Sequence, residues 1–435
     1  MEKFTIFWFR RDLRITDNHG FFKALSGKNK VIPIFIFDEN ILKKLPKSDA
    51  RLEFILLALG TIDNAMKRNR CSLGMYHGTP KAILKELIKK WPIDKVICNE
   101  DYEPYANQRD ASIKALLAEH NISFETYKDQ VIFEKDEVVK DDGTPYRVYT
   151  PFSRKWLSHF TANSTIAYPS EEHMDQLAEV DQPKLILKDL GFSPSSVSSP
   201  EYTFNDSIIS SYEETRNFPA VDQTTRIGTH LRFGTLSIRT LVRKSADIEN
   251  PTFFKELIWR EFFMQILWHF PHTMTQSFKP QYDRIEWRNN PEEFEKWCQG
   301  KTGYPLVDAG MRQLNQTGFM HNRVRMLVGS FLCKHLLIDW RLGEAYFAEK
   351  LLDYEMSSNV GNWQWVAGCG VDAAPYFRIF NPTEQVKKFD KQHDYIKKWV
   401  PDYQELTYPE PIVEHKFARE RCLTTYKSAL NAQAS

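Results

Sequence analysis

Residues 4–9 read FTIFWF, residues 31–38 read VIPIFIFD and residues 95–100 read KVICNE. All three are short apolar runs rich in Ile, Val and Phe, the composition of buried β-strands. Helical stretches separate them, such as ARLEFILLALGTIDNAMKR (50–68) and PKAILKELIKKW (80–91). Strands spaced by helices predict a doubly wound parallel sheet, because parallel neighbours need crossover connections. Ligands of such sheets sit beyond the carboxyl ends of the strands.

Downstream the alternation decays between about 130 and 204. LGFSPSSVSSPEY (190–202) is rich in Ser and Pro and reads as a linker. From about 205 the strand patterns vanish. TFFKELIWREFFMQILWHF (252–270) is apolar on nearly every side, which predicts a fully buried helix. MHNRVRMLVGSFLCKHLLIDW (320–340) predicts another long one. The expected organisation is an α/β domain over 1–130, a connector over 131–204 and an all-helical domain over 205–425. A chain of 435 residues also exceeds one typical core, which supports two domains.

Basic and acidic residues nearly cancel, 58 against 57, so any nucleic-acid contact must come from a local patch. Aromatics make up 14% of the chain; most must be core, and a site that stacks planar rings would use a few. The six cysteines are scattered with no C-x-x-C pair, which suits reduced thiols and argues against a disulfide frame or zinc ribbon. MEKFTIFWFRRDLRITDN puts charges where a signal peptide needs an apolar run, and no stretch approaches a membrane span. A cytoplasmic monomer with no membrane association is expected.

Several short matches carry no chemistry. GCGVDA (368–373) fits G-x-G-x-x-A but follows no β-branched run and meets Pro375 two residues later. GKT (300–302) has Glu295 where a P-loop needs its first glycine, and HFPH (269–272) lacks further metal ligands nearby, so no metal site is expected.

Three segments of the helical part do carry candidates. Gly310 to Leu342 holds Arg312, Arg323, Arg325, Lys334 and Arg341 against one acid, Asp339; a solvated face and a phosphate-contacting surface both fit. TTRIGTHLRFGTLS (224–237) opens with hydroxyl residues before a helical stretch, which suits either a capping box or a phosphate at a helix start. Glu256, Trp259, Arg260 and Phe263 share one helical face. Charges on an apolar helix need partners, supplied by an ion pair or by a polar ligand.

Together FWFRRDLRITDN (7–18), YTPFSRKW (149–156), ELIWREFF (256–263), TGYPLVDAGMRQLNQTGFMHNRVRM (302–326), LLIDWRLGE (336–344) and NWQWVAGCGVDAAPYFRIFNP (362–382) resemble the photolyase/cryptochrome family over nearly the whole chain. The detail is most like class I cyclobutane pyrimidine dimer photolyases; a (6-4) photolyase would show a His pair where Asn322 and Arg323 stand. The resemblance implies an all-α C-terminal domain that binds FAD, and light-driven repair of cyclobutane pyrimidine dimers in DNA by electron transfer from excited FADH−. It implies that Tyr212 and the loop Thr224, Thr225, Arg226, Ile227 and Gly228 hold the pyrophosphate end. Arg325 and Asp353 would pair beside the isoalloxazine, next to Tyr354 and Glu355, with Asn359 facing flavin N5. Trp363, Trp340 and Trp287 would carry electrons inward from the surface. Glu256, Trp259, Arg260, Asn322, Arg323, Met326, Trp365 and Arg378 would contact the damaged DNA, whose dimer is flipped into the cavity. No metal and no general base are implied.

Some positions depart from the family pattern. The pyrophosphate loop has Gly228 in place of a second Ser, Glu355 replaces an Asp, Val360 and Asn362 alter NNGGWQW, and Phe319 stands where Trp is common. EDYEPYANQRD (100–110) has Tyr105 and Ala106 in place of the Asn-Glu pair of folate-type members. A deazaflavin-like antenna is favoured over folate, while FMN or no antenna also fits. The second hypothesis is a cryptochrome-type blue-light photoreceptor using the same FAD and tryptophans. Repair is favoured by the stacking pair, Glu256 and Asn322, and by a chain that closes soon after VEHKFARE (413–420), read as leaving no signalling tail.

Overall fold

The structure is a computed structural model describing residues 3–198 and 201–431. Of the expected linker, Ser199 and Pro200 lie outside the described residues. Five parallel strands form one sheet: β1 (Phe4–Phe9), β2 (Lys30–Asp38), β3 (Gly74–Gly78), β4 (Ile93–Asn99) and β5 (Ser123–Tyr127), in the order β3-β2-β1-β4-β5. β1, β2 and β4 are the three apolar runs. β3 (GMYHG) and β5 (SFETY) are too short and polar to stand out in the sequence. Side chains alternate: Ile6, Trp8, Ile32, Ile34 and Ile36 fill the core on one face, Phe7, Phe9, Phe35 and Phe37 that on the other. Burial on both faces is what makes such strands continuous apolar runs.

The chain reverses its direction of sheet growth between β1 and β4, the usual ligand crevice of such sheets. Here the strand ends are bridged by the protein itself. Asn99 donates to Asp12 at 2.6 Å, and Arg10 pairs with Asp110 at 2.6 Å. At the position that argued against a folate antenna, Tyr105 donates its hydroxyl to Asp38 at 2.5 Å.

Two compact units divide the chain, and they do not follow its order. The first comprises Met1–Glu137, Trp156–Pro200 and Ile227–Asp247; the second comprises Val138–Lys155, Glu201–Arg226 and Ile248–Ser435. The connector is thus shared between them, and residues 227–247 join the α/β unit. Buried charge explains the last point. Arg239 bonds Asp17 at 2.9 Å and Asp129 at 2.8 Å, and Arg14 bonds Asp129 at 2.7 Å. Burial opposes ionisation of Asp129, but the two arginines outweigh it and hold the carboxyl at about 2.

From residue 201 onward the described residues contain no strand. The helices that build the site are α1 (Thr252–His269), α2 (Pro305–Thr317), α3 (Asn322–Ser330), α4 (Trp340–Lys350) and α5 (Met356–Ala367). Two expectations change. α1 is not buried all round: Lys255 is exposed, and Glu256, Trp259 and Arg260 are half-buried. The long helix expected over 320–340 breaks instead. α3 passes into a π-helical turn, Phe331–His335, Leu337 adopts a left-handed φ of 51°, and Asp339 caps α4 by accepting the Arg341 N–H at 3.0 Å.

Close backbone approach packs these helices. A Cβ at Gly343 of α4 would overlap the Trp363 ring of α5, and one at Gly361 of α5 would overlap the Phe263 ring of α1. Trp297, Trp340 and Trp363 are buried in this core, and Trp287 packs against it. All six cysteines are free and buried.

Candidate functional site

α5 supplies the centre of the site. Residues 357–365, SSNVGNWQW, lie wholly within it, so Asn359, Trp363 and Trp365 are set by one helix. Asn359 precedes Trp363 by one turn and shares its side. Both indoles line one open cavity. Its other walls include Asn322, Arg325 and Met326 of α3 and Asp353, Tyr354 and Glu355 ahead of α5. The same cavity thus joins residues expected at the flavin to residues expected at the lesion.

Electrostatics shape one wall. Arg325 donates to Asp353 at 2.8 Å and to the Met320 carbonyl at 2.7 Å. Its guanidinium also lies 5.7 Å over the Phe319 ring, and Arg226 lies 5.5 Å over the same ring. Phe319 thus presents its ring to two guanidinium groups. Asn359 donates to the Glu344 carbonyl at 3.1 Å and its carboxyl at 2.9 Å. Burial raises the Glu344 pKa, against hydrogen bonds from Asn359 and Tyr354. With its Nδ2 held there, Asn359 keeps Oδ1 for the cavity. Glu344 was not singled out in the sequence, although it closes the LLIDWRLGE motif.

The departures beside Trp363 separate by depth. Val360 is buried in the core, whereas Asn362 is exposed at the cavity and bonds the Ser358 carbonyl at 2.8 Å.

Other expected residues lie off the cavity lining. Glu256, Trp259, Arg260, Arg323 and Arg378 are not among its walls. Glu256 has a partner, Arg216 at 2.5 Å, so of the two readings the sequence left open the ion pair is the one formed. Arg323 bonds Asn217 and lies 4.5 Å over the Phe389 ring. Arg378 is exposed, with its carbonyl held by Lys334 at 2.7 Å. Arg216 and Asn217 were missed because their partners are distant in sequence. The capping-box reading of 224–237 also fails. The helix Gly228–Phe233 has only six residues, Ile227 at its start makes no side-chain cap, and Arg226 takes a left-handed φ of 54°. Tyr212 packs edge-on against Phe253 with centroids 5.4 Å apart, and burial pushes its phenol up to about 12.

Trp340 and Trp363 share a core against which Trp287 packs, and among the described residues no ring contact links these three directly. Ring neighbours of Trp363 are Phe347 at 5.0 Å and Trp297 at 6.2 Å, while Trp287 meets Tyr426 at 6.0 Å. Trp340 is 1% exposed and its indole N–H has no acceptor.

The residues fit an FAD. Asp353 Oδ1, Ser357 Oγ and Thr224 Oγ1 are buried with no hydrogen-bond partner, and buried polar atoms are normally satisfied. A carboxylate oxygen suits a ring N–H, and hydroxyl groups suit ribityl or phosphate oxygens. Arg325 beside the cavity suits a ring that carries negative charge when reduced.

The helix α3 at this cavity carries a pH-sensitive cap. His321 accepts the Arg323 N–H at 3.2 Å, and burial, aided by Arg325 and Arg323, holds its ring at about 4. An unfolded histidine titrates near 6.5, so between these values the unfolded chain binds more protons. Stability from this group is complete above about 6.5 and falls as pH drops towards about 4. Urea midpoints are expected to decline from pH 7 to pH 5. His321→Asn, which keeps a capping acceptor, is expected to lessen the decline. It should not abolish it, because burial also holds His230 at about 4 and His335 at about 3. An unchanged pH slope in the variant would remove His321 from this role.

Comparison with known proteins agrees with the geometry. The family model described as DNA photolyase matches residues 5–172, and that described as the FAD binding domain of DNA photolyase matches residues 253–407. The deoxyribodipyrimidine photo-lyase of Agrobacterium fabrum is 35% identical, over 97% of this chain and 97% of its own. Among solved structures, a bacterial class III photolyase from Agrobacterium tumefaciens superposes with a TM-score of 0.89 at 33% identity, covering 99% of this chain and 98% of its own. An archaeal photolyase from Sulfolobus tokodaii with two FAD molecules gives 0.83 at 32% identity, covering 98% and 100%. With a class III structure among these relatives, similarity does not single out class I. The chain belongs to the DNA photolyase family of enzymes and carries that family's FAD-binding domain at residues 253–407.

Proposed function

We propose that this protein repairs cyclobutane pyrimidine dimers in DNA under blue light. The observation that carries the reading is the single cavity lined by Arg325, Asp353, Asn359 and Trp363 and also by Asn322, Met326 and Trp365. A cofactor and an extruded base would meet there with no wall between them. Reduced FAD, when bound and excited, supplies an electron to the dimer and recovers it after the ring opens.

The chain's own residues do the rest. Arg325, fixed by Asp353, places positive charge beside the cavity before any ligand arrives, so little reorganisation is needed. Glu344 orients the Asn359 amide. Trp365 offers a stacking surface, and a dimer is already poorly stacked, so extruding it costs less than extruding a normal pair. Asn322, exposed at the first turn of α3, offers donor and acceptor atoms to a base edge. Glu256 and Trp259 on α1 would extend this surface, with Arg260, Arg323 and Arg378 meeting phosphates. Trp340 and Trp287 would relay electrons to Trp363. The free, buried cysteines accord with a reducing cytoplasm.

The test is direct. The flavin is reduced chemically, an oligonucleotide with one thymine dimer is added, and thymine absorbance is followed under blue light. Recovery of absorbance is expected. Its failure with reduced flavin bound would remove the repair reading and favour a light-sensing role.

A further inference from the structure

The segment YTPFSRKW has no part in the site so far, yet its first residue stands against Trp259. The Tyr149 ring lies on the indole with centroids 3.7 Å apart and planes 7° apart. Its edge meets Phe262 at 5.9 Å and 73°. Both ends of the residue are tied. The backbone N–H donates to the Asp372 carboxylate at 3.1 Å, and the hydroxyl donates to the Lys255 carbonyl at 2.9 Å. Lys255 lies one turn before Trp259 on α1. The phenol is therefore bonded to the helix whose indole it covers. Burial raises its pKa, which keeps the hydroxyl a donor.

An indole has two faces, and Tyr149 covers one. Trp259 stays half-buried rather than buried, so part of its surface remains open. We propose that Tyr149 is a positioning residue for lesion recognition: it clamps the Trp259 indole and fixes the plane on which an extruded pyrimidine stacks. This rests on the repair reading above. A tryptophan on a helix surface otherwise loses rotamer freedom when a ligand immobilises it. A parallel aromatic neighbour with two anchors removes that loss from the binding step. A gate, in which Tyr149 holds the base's own place and swings away, would have to break both anchors and the stack together.

The experiment uses the flavin-loaded full chain and fluorescence anisotropy, with one oligonucleotide bearing a single thymine dimer and the same oligonucleotide without it. Tyr149→Ala is expected to weaken dimer binding by about 5- to 10-fold, the size of one aromatic pair, with undamaged DNA unaffected. Tyr149→Phe keeps the ring and is expected to restore most of the affinity. In a Trp259→Ala background, Tyr149→Ala is expected to add no further loss, because the residue acts through the indole. A purely structural role would give an additive loss there and would overturn the proposal. Tighter dimer binding by Tyr149→Ala would overturn it in favour of the gate. Equal loss on undamaged DNA, or a Phe variant as weak as the Ala variant, would also overturn it. If the unsubstituted protein does not distinguish the two oligonucleotides, the repair reading itself falls and this inference with it.

Discussion

Trp363→Phe slows light-driven reduction of the flavin by at least about tenfold, equivalent to ~1.4 kcal/mol on the barrier, while repair by chemically reduced enzyme persists. The indole is 3% exposed, lines the cavity, and sits where Gly343 lets it approach α4 closely. Phenylalanine fills most of that space but is far harder to oxidise. The two readouts separate because the proposed repair step draws on an electron already present, whereas reduction needs one delivered. Stopped illumination with absorbance detection measures the first, and thymine recovery by pre-reduced enzyme the second. Collapse of both together would show that Trp363 shapes the cavity rather than supplying electrons. The ring contact of Trp363 with Trp297 makes a comparison useful. Trp340→Phe should slow reduction as well if the expected relay is the one used.

Trp365→Ala acts in the opposite sense. It weakens binding of dimer-containing DNA by about 1–3 kcal/mol, roughly 5- to 150-fold, and leaves the rate of flavin reduction near that of the unsubstituted protein. Trp365 is half-buried at the cavity, two residues beyond Trp363 on the same helix. Residues two apart on a helix project about 200° apart, so one helix can address core and opening at once. Anisotropy titration with damaged and undamaged oligonucleotides measures the effect. Unchanged discrimination would remove Trp365 from the stacking surface.

Much of the site was legible because α5 is local. Asn359, Trp363 and Trp365 lie within one helix, so their relative placement follows from helical geometry alone. Arg325 and Asp353 were legible only through family resemblance, since 28 positions separate them. Arg216, Asn217 and Glu344 were not legible. Each acts by holding another residue, and nothing in local sequence says which side chain a distant charge will meet. The error on α1 has a related origin. Composition marks a helix as apolar all round, but exposure of the Glu256 and Trp259 face depends on which neighbours cover it.

The sequence by itself determined the parallel sheet through β1, β2 and β4, because strands buried on both faces must be continuous apolar runs. It likewise determined the helical character of the second half and the spacing of the indoles on α5. Tertiary structure decided the rest. It paired the short polar strands β3 and β5 to the sheet edges. It drew residues 227–247 into the α/β unit through Arg239, whose partner Asp129 is 110 positions away. It gave Glu256 an arginine, Asn359 a glutamate and Trp259 a tyrosine. Periodicity records which face of an element is buried, whereas the identity of the group across that face is set only when distant segments close on one another.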